Sequence, residues 1–289
     1  MPDTLDYREV PRVRNPSDDE VDRLVRSGQP FLIEEKDNEA FQRFAARADF
    51  ARFRDEFGAR EWTVQCCERG VFDPRQHFAD TTARMPFSEM LDRVEEPHET
   101  LQHYVNVWPG AGVEFAQSLF DELRAVGRDL ALIRYKNQEL RVFWLGGAGT
   151  ITPLHHDTYA RSHGVVHGEK LFVLFPPDLR HFRLLDPYPL RSPVGWYSKI
   201  GAGPLDPERF PALKKTRPVR ALCGPGDFLY LPPCWWHYVT IPSKPTISIS
   251  ATFYPFAAYF YWYHWRMRLT RWIASHERLL PKERRFVRA

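Results

Sequence analysis

The run His155-His156-Asp157 places three polar side chains that can bind a metal ion within a short stretch of the chain. The surrounding segment, TITPLHHD, predicts a β-strand, and successive side chains of a strand point to opposite faces. His155 and Asp157 would therefore share one face, with His156 on the other. An imidazole and a carboxylate on one face supply two ligands of a metal site, although a His-x-Asp alone also occurs at the ends of surface strands.

A further histidine ends the run GPGDFLYLPPCWWH, residues 224–237. A Gly-Pro-Gly-Asp turn and a Pro-Pro break enclose a predicted strand at residues 228–231, and His237 begins the next strand. A β-barrel can bring that strand opposite the one carrying His155. Two histidines and one carboxylate leave three metal positions open, and iron(II) oxygenases need those positions for a bidentate cosubstrate and dioxygen. Catalytic zinc usually has a different ligand set.

Lys170 follows the turn His167-Gly168-Glu169 and begins the apolar run LFVLF. A buried ammonium needs an anionic partner, because an unpaired buried charge is costly. Many lysines at strand ends instead extend their ammonium to solvent. Beside a metal site the carboxylate-binding interpretation is favoured, and Lys170 would then hold the far carboxylate of 2-oxoglutarate.

These residues lie in a region of short β-rich runs separated by Gly and Pro, which extends over residues 140–255. The runs are LRVFWL, TITPLHHD, KLFVLFP, VRALC, DFLYLP, HYVTI and TISISATF. Such a pattern predicts a mainly β sandwich or barrel rather than a βαβ sheet. Residues 185–217 are rich in Pro and have no clear period, so we expect a long excursion over one mouth of the barrel.

The two flanking regions differ from this β-rich core. Residues 1–139 predict helices around short strands that pack on the barrel, with a helix after the capping box at residues 17–20. Further helices are predicted at 38–57, 87–95 and 113–126. In the C-terminal region, residues 256–289, the segment FAAYFYWYHWRMRLTRWIASH predicts a helix that is aromatic on more than one side. That helix could pack on its own chain or form a homodimer interface, and a membrane-surface role is less favoured.

Composition limits the remaining classes of protein. The 289 residues are 43% hydrophobic and 27% charged, which is typical of a folded domain. A net charge of +3 with no long basic stripe gives no clear nucleic-acid signal. The four cysteines form no CxxC pair and predict neither a disulfide framework nor a zinc ribbon. With no signal peptide and no apolar stretch of about 20 residues, we expect a cytoplasmic protein without a membrane span.

Residues 85–255 resemble the JmjC/cupin-like family of iron(II)- and 2-oxoglutarate-dependent hydroxylases, and are similar to its asparaginyl hydroxylases that act on hypoxia-inducible factor. The resemblance is carried by TPLHHDTYARSHGVVHGEKLFVLFPPD, SKIGAGPLDPERFP, GPGDFLYLPPCWWHYV and ISISATFYP, in that order. It implies a double-stranded β-helix, the jelly roll of the cupins, with surrounding N-terminal helices and a C-terminal helix. It also implies iron(II), 2-oxoglutarate and dioxygen as cofactor and cosubstrates.

By this resemblance His155, Asp157 and His237 are the iron ligands. Lys170 and Thr152 match residues that bind the 2-oxoglutarate carboxylate, and Tyr104 matches a third. Two positions differ from the family pattern, since Arg161 and Thr252 stand where asparagines lie near the cosubstrate. We interpret both as residues of the cosubstrate site, where Arg161 could add an anion contact or serve the substrate.

The resemblance implies hydroxylation of a C–H bond in a protein or peptide side chain, with N-methyl lysine demethylation ranked lower. An oxygenase of a small molecule or of an RNA base is an alternative within enzymology. A non-catalytic cupin that binds a ligand or partner is the alternative of another class. The presence of all three ligands and of Lys170 counts against that last alternative.

Overall fold

The computed structural model describes residues 5–68, 71, 82–96, 101–107, 121, 125, 130–134, 140–188, 195–200, 203–253, 265, 268, 269 and 272. The strands are β1 Arg8–Glu9, β2 Arg12–Arg14, β3 Phe31–Glu34, β4 Glu61–Glu68, β5 Thr82–Pro86, β6 Leu101–Val107, β7 Leu140–Gly146, β8 Ile151–His156, β9 Ala160–His167, β10 Lys170–Phe175, β11 Val219–Cys223, β12 Asp227–Leu231, β13 Trp236–Thr240 and β14 Thr246–Phe253. The helices are α1 Asp18–Arg26, α2 Glu39–Ala45, α3 Phe50–Phe57, α4 Phe87–Glu95, α5 Ala131–Arg134 and α6 Leu179–Leu184, with a 3-10 helix at Pro211–Lys215.

These strands form two sheets, which we call the small and the large sheet. The small sheet has the order β1-β11-β10-β13-β8, and the large sheet has the order β2-β3-β12-β9-β14-β7-β6-β4-β5. Neighbouring strands are antiparallel except for the pairs β1–β11 and β2–β3. The mainly β, jelly-roll architecture predicted from the sequence is therefore confirmed.

Three apolar clusters lie in layers around the two sheets. The interior cluster includes Phe172, Leu229 and Trp235 and lies between the sheets. A second cluster, with Trp236, covers the outer face of the small sheet beneath the segment that follows β10. The third and largest lies under the N-terminal helices on the outer face of the large sheet. Alternation along the strands explains why Trp235 and Trp236 belong to different layers.

Several N-terminal elements follow their sequence signals. Ser17 caps α1 by accepting a hydrogen bond from the Glu20 amide at 3.2 Å. The single helix predicted at 38–57 is wrong in one respect, because two helices, α2 and α3, occupy that range. Asp49 separates them, since its extended backbone and its side-chain bond to the Arg52 amide at 2.8 Å begin a new helix.

The β9 strand was not predicted from the sequence. Its interior-facing positions include Arg161 and His163, so its pattern lacks the alternation of apolar residues that marks a core strand. The large sheet also continues across the predicted boundary at residue 139, because β2 to β6 belong to it.

The predicted helices at 113–126 and 256–276 lie largely outside the described residues. The described positions 265, 268, 269 and 272 are helical, and Trp265 and Trp272 are exposed. The role of residues 256–289 in dimerisation therefore stays a prediction. Among the residues that the structure describes, no helix is both long and apolar enough to cross a membrane.

Gly164→Ala is expected to lower the free energy of unfolding by about 1–3 kcal/mol through overpacking. A Cβ at Gly164 would lie 2.2 Å from the ring of Phe228, which is fully buried on the outer face of the large sheet. Urea denaturation measures the effect. Gly224→Ala is the matched control, since a Cβ there meets no described atom within 4 Å, and equal stability of the two variants would contradict the prediction.

Candidate active site

The two histidines face each other on neighbouring strands at the edge of the small sheet. The β8–β13 register places His155 directly opposite His237, with their ring centroids 4.0 Å apart. Asp157 follows the end of β8 and brings a carboxylate oxygen 3.9 Å from Nε2 of His237. One ligand atom from each of the three residues lies within 4.8 Å of the others. This separation allows all three to bind one metal ion.

Backbone carbonyls fix the orientation of both imidazoles. Nδ1 of His155 lies 2.8 Å from the Pro153 carbonyl oxygen, and Nδ1 of His237 lies 3.0 Å from that of Trp235. A carbonyl oxygen only accepts hydrogen bonds, so each Nδ1 carries the proton and each Nε2 keeps its lone pair for a metal.

The protonation states also suit a divalent cation. Burial lowers the pKa of His237 to about 3, with a further contribution from His155, and burial likewise lowers the pKa of His155. Burial alone would raise the pKa of Asp157, but Arg161 and the two histidines outweigh it and hold this pKa well below its usual range. Two neutral imidazoles and one carboxylate are thus ready at neutral pH, a donor set that fits iron(II).

Arg161 holds the carboxylate in place. Its Nη2 and Nε donate to the same oxygen of Asp157 at 2.9 and 3.2 Å. Nη2 is also 2.8 Å from the Tyr159 hydroxyl, and Nη1 is 3.3 Å from Oγ of Ser250. Arg161 therefore contacts a candidate metal ligand, rather than acting only as an extra anion contact.

A bulge in β8 brings Thr152 onto the face of the candidate metal ligands. The register shifts between His237, which pairs with His155, and Val239, which pairs with Thr152. Residues 153 and 154 together therefore oppose a single residue of β13. Because the extra residue reverses the alternation, Thr152 shares the interior face with His155, and strict alternation would have placed it on the outer face.

Lys170 is buried at the far end of the same interior. It begins β10, where it is 2% exposed and pairs with Cys223. Its Nζ lies 5.7 Å from the ring centroid of Trp144, and Cζ of Arg161 lies 5.8 Å from that same ring. Burial lowers the pKa of Lys170 to about 7, and the positive charge of Arg161 acts in the same direction.

The other two predicted cosubstrate residues are less fully described. Thr252 pairs with Arg161 across β14 and β9, so it lies on the interior face of the large sheet beside Arg161. Tyr104 pairs with Gly146 across β6 and β7. The side chain of Tyr104 lies outside the described residues, so its role stays a prediction.

Sequence reasoning missed three side chains at this site. Tyr197 stacks on His155 with ring centroids 5.2 Å apart, and a backbone bridge joins the same two residues. Trp144 and His163 line the interior near Lys170. The segment that carries Tyr197 has no clear period, and the spacing of the other two residues carries no metal or anion signal.

Comparison with known proteins gives a family match over most of the chain. Residues 16–265 match the model of the cupin-like domain. Three relatives are similar over shorter segments, each about a third of the relative's own length. The human bifunctional peptidase and (3S)-lysyl hydroxylase JMJD7 is 34% identical over 117 residues, which are 34% of this chain and 36% of the relative.

The Jumonji C domain-containing protein 5 of Drosophila melanogaster is 33% identical over 153 residues, which are 49% of this chain and 37% of the relative. The lysine-specific demethylase JMJ30 of Arabidopsis thaliana is 32% identical over 142 residues, which are 47% of this chain and 32% of the relative. The match over residues 16–265, together with the jelly-roll fold, establishes that the chain belongs to the cupin-like domain family, and segments of it are similar to proteins named for a Jumonji C domain.

Proposed function

We propose that this protein is an iron(II)- and 2-oxoglutarate-dependent oxygenase that hydroxylates a C–H bond of a protein or peptide side chain. The observation that carries the proposal is the combination of the candidate metal ligands with a buried lysine in one interior. His155, Asp157 and His237 converge within 4.8 Å, and Lys170 is buried at the other end. A metal-binding cupin without a dicarboxylate cosubstrate has no need of that buried ammonium.

Iron(II) would supply the activation of dioxygen, coupled to oxidative decarboxylation of 2-oxoglutarate. The protein's own residues bind, orient and exclude water. The Lys170 ammonium and the Thr152 hydroxyl would hold the distal carboxylate of 2-oxoglutarate. Arg161 keeps the Asp157 carboxylate in one orientation, and the buried side chains of Phe172 and Trp235 form apolar walls between the sheets.

A protein substrate is favoured because relatives are named for lysyl hydroxylation and for lysine demethylation. We rank hydroxylation first, since hydroxylase-like motif spacing is what the chain shares with the family. A small molecule or an RNA base remains the alternative substrate class. We also propose a cytoplasmic location and homodimerisation through residues 256–289.

The proposal is tested by measuring succinate formation from 2-oxoglutarate with the purified protein, iron(II), ascorbate and dioxygen. We expect slow turnover without any prime substrate, and faster turnover in the presence of the correct peptide. No turnover, together with no calorimetric binding of 2-oxoglutarate to the manganese-loaded protein, would contradict the proposal and favour a binding module.

The affinity for 2-oxoglutarate is expected to fall as the pH rises from 7 to 9. The pKa of Lys170 is about 7 in the ligand-free protein, so the amine loses its proton over this range. A bound carboxylate favours the ammonium form and raises that pKa. Binding above pH 7 therefore takes up a proton, and the dissociation constant should increase by up to about tenfold per pH unit.

Calorimetry on the manganese-loaded protein, in two buffers that differ in ionisation enthalpy, measures this proton uptake. Lys170→Arg keeps a permanent charge and should give a flat profile between pH 7 and 9. If the dissociation constant of the unmodified protein is also independent of pH, Lys170 does not take up a proton when 2-oxoglutarate binds, and the prediction is wrong.

A further inference from the structure

His163 is a buried, titratable side chain on the interior face of β9. It lies between Arg161 and Val165 on that face and is 5% exposed. Its ring is 5.0 Å from that of Phe172 across the interior and 6.4 Å from that of Trp144. The imidazole is therefore enclosed between the two sheets.

One ring nitrogen of His163, Nε2, is buried in the interior. Within the part of the chain that the structure describes, Nε2 of His163 has no hydrogen-bond partner. The same holds for Oγ of Ser248, a fully buried residue of the adjacent strand β14. Buried polar atoms are nearly always paired, because an unmade hydrogen bond costs about 1–3 kcal/mol. Two such atoms on one interior face point to a ligand.

The surrounding charges indicate what kind of ligand fits. Lys170 and Arg161 both lie within 6 Å of the Trp144 ring. Burial, with these two cations, keeps the pKa of His163 well below its usual value, so the imidazole is neutral and carries one N–H. Two cations and two neutral hydroxyl or N–H donors suit a carboxylate, and they exclude a cation or a wholly apolar group.

The position of these donors selects one end of the cosubstrate. Lys170 begins β10, whereas Leu174 of the same strand pairs with the candidate ligand His237. The Lys170 end is therefore remote from the metal ligands. Ser248 pairs with Val165, whereas Thr252, four residues later on β14, pairs with Arg161 beside Asp157, so Ser248 lies toward this remote end too.

We infer that Nε2 of His163 and Oγ of Ser248 donate hydrogen bonds to the distal carboxylate of 2-oxoglutarate, and that His163 makes this chain selective for a dicarboxylate. The inference rests on the proposed function and adds a specificity-determining residue to it. We do not assign this role to Arg161, because its guanidinium donates a hydrogen bond to Asp157.

Isothermal titration calorimetry of the manganese-loaded full-length protein tests the inference with two ligands. One is 2-oxoglutarate, and the other is 2-oxopentanoate, which has a methyl group in place of the distal carboxylate. His163→Phe keeps the ring packing and removes the donor. It should weaken 2-oxoglutarate binding by about tenfold or more, the effect of a hydrogen bond to a charged group. Binding of 2-oxopentanoate should change by less than about twofold, since it never made that bond.

His163→Gln retains an N–H donor and should recover most of the affinity, and it carries the same test if the phenylalanine variant does not fold. Ser248→Ala should show the same ligand selectivity with a smaller loss. Equal weakening of both ligands, or of neither, would overturn the inference. An unmodified protein that binds manganese but not 2-oxoglutarate would instead refute the proposed function, which makes the two failures distinguishable.

Discussion

Replacing Asp157 or His155 with alanine is expected to abolish succinate formation and to weaken metal binding by more than about 100-fold. Each variant removes one of three candidate ligands whose ligand atoms lie within 4.8 Å of one another, and loss of a supporting contact alone costs about 10–100-fold in metal sites. Metal affinity is measured by titration with manganese, and turnover by the succinate assay.

The two variants should differ in stability. Asp157 accepts two hydrogen bonds from Arg161, whose side chain is only 11% exposed. Removing the carboxylate leaves a buried guanidinium without this partner, at a cost of about 3–5 kcal/mol. We therefore expect Asp157→Ala to unfold at clearly lower denaturant concentration than His155→Ala.

His156→Phe is the matched control for the metal measurements. His156 adjoins both candidate ligands in sequence but contacts Trp236 on the outer side of the small sheet, with ring centroids 4.6 Å apart. This variant should bind manganese as the unmodified protein does. If all three variants lose metal binding alike, the substitutions disturb β8 as a whole. That result would contradict a metal site formed by side chains on one face of the strand.

Lys170→Met is expected to weaken 2-oxoglutarate binding by about 30-fold or more, since one member of a buried charge pair is worth about 2–5 kcal/mol to binding. The same change should stabilise the ligand-free protein and raise its melting temperature by at least ~2 °C. The reason is that the pKa of Lys170 is about 7 when folded, whereas an exposed lysine has a pKa of about 10.4. The buried ammonium thus opposes folding.

The destabilisation of the folded protein by the buried Lys170 ammonium depends on pH. The destabilisation by Lys170 is fully present below pH 7 and decreases as the pH rises toward the unfolded value, so the gain from methionine should decrease in the same way. Lys199→Met is the control, because Lys199 is exposed and pairs with Asp186 at the surface. A Lys170→Met variant that binds 2-oxoglutarate normally would remove the lysine from the site.

Much of the candidate site could be predicted from the sequence, because its signals are local. The alternation of a strand predicts that His155 and Asp157 share a face, and a Pro-Pro break followed by His237 predicts a new strand. The pairing of His237 with His155 needed only the assumption of a barrel. The jelly roll itself followed from family resemblance rather than from periodicity.

The remainder depends on tertiary contacts. The bulge that turns Thr152 inward leaves no mark in a single sequence, since it is a shift in pairing with β13. Because the interior face of β9 is polar, the segment lacks the apolar alternation that predicts a strand. His163 could therefore not be identified as an interior residue from the sequence. Arg161 was visible as a departure from the family pattern, but its bond to Asp157 depends on how the chain turns after β8.

The segment that follows β10 has a consequence for how this fold can diversify. Leu185, Ile200 and Leu213 of this segment pack on the outer face of the small sheet, and Tyr197 contacts His155. The residue pairs that join β8 to β13 include no residue of that segment. Insertions or exchanges there can change what is presented above the candidate metal ligands while His155 and His237 stay in register. In the proposed oxygenase, new substrate preferences can therefore evolve in this segment independently of the residues that would hold the metal.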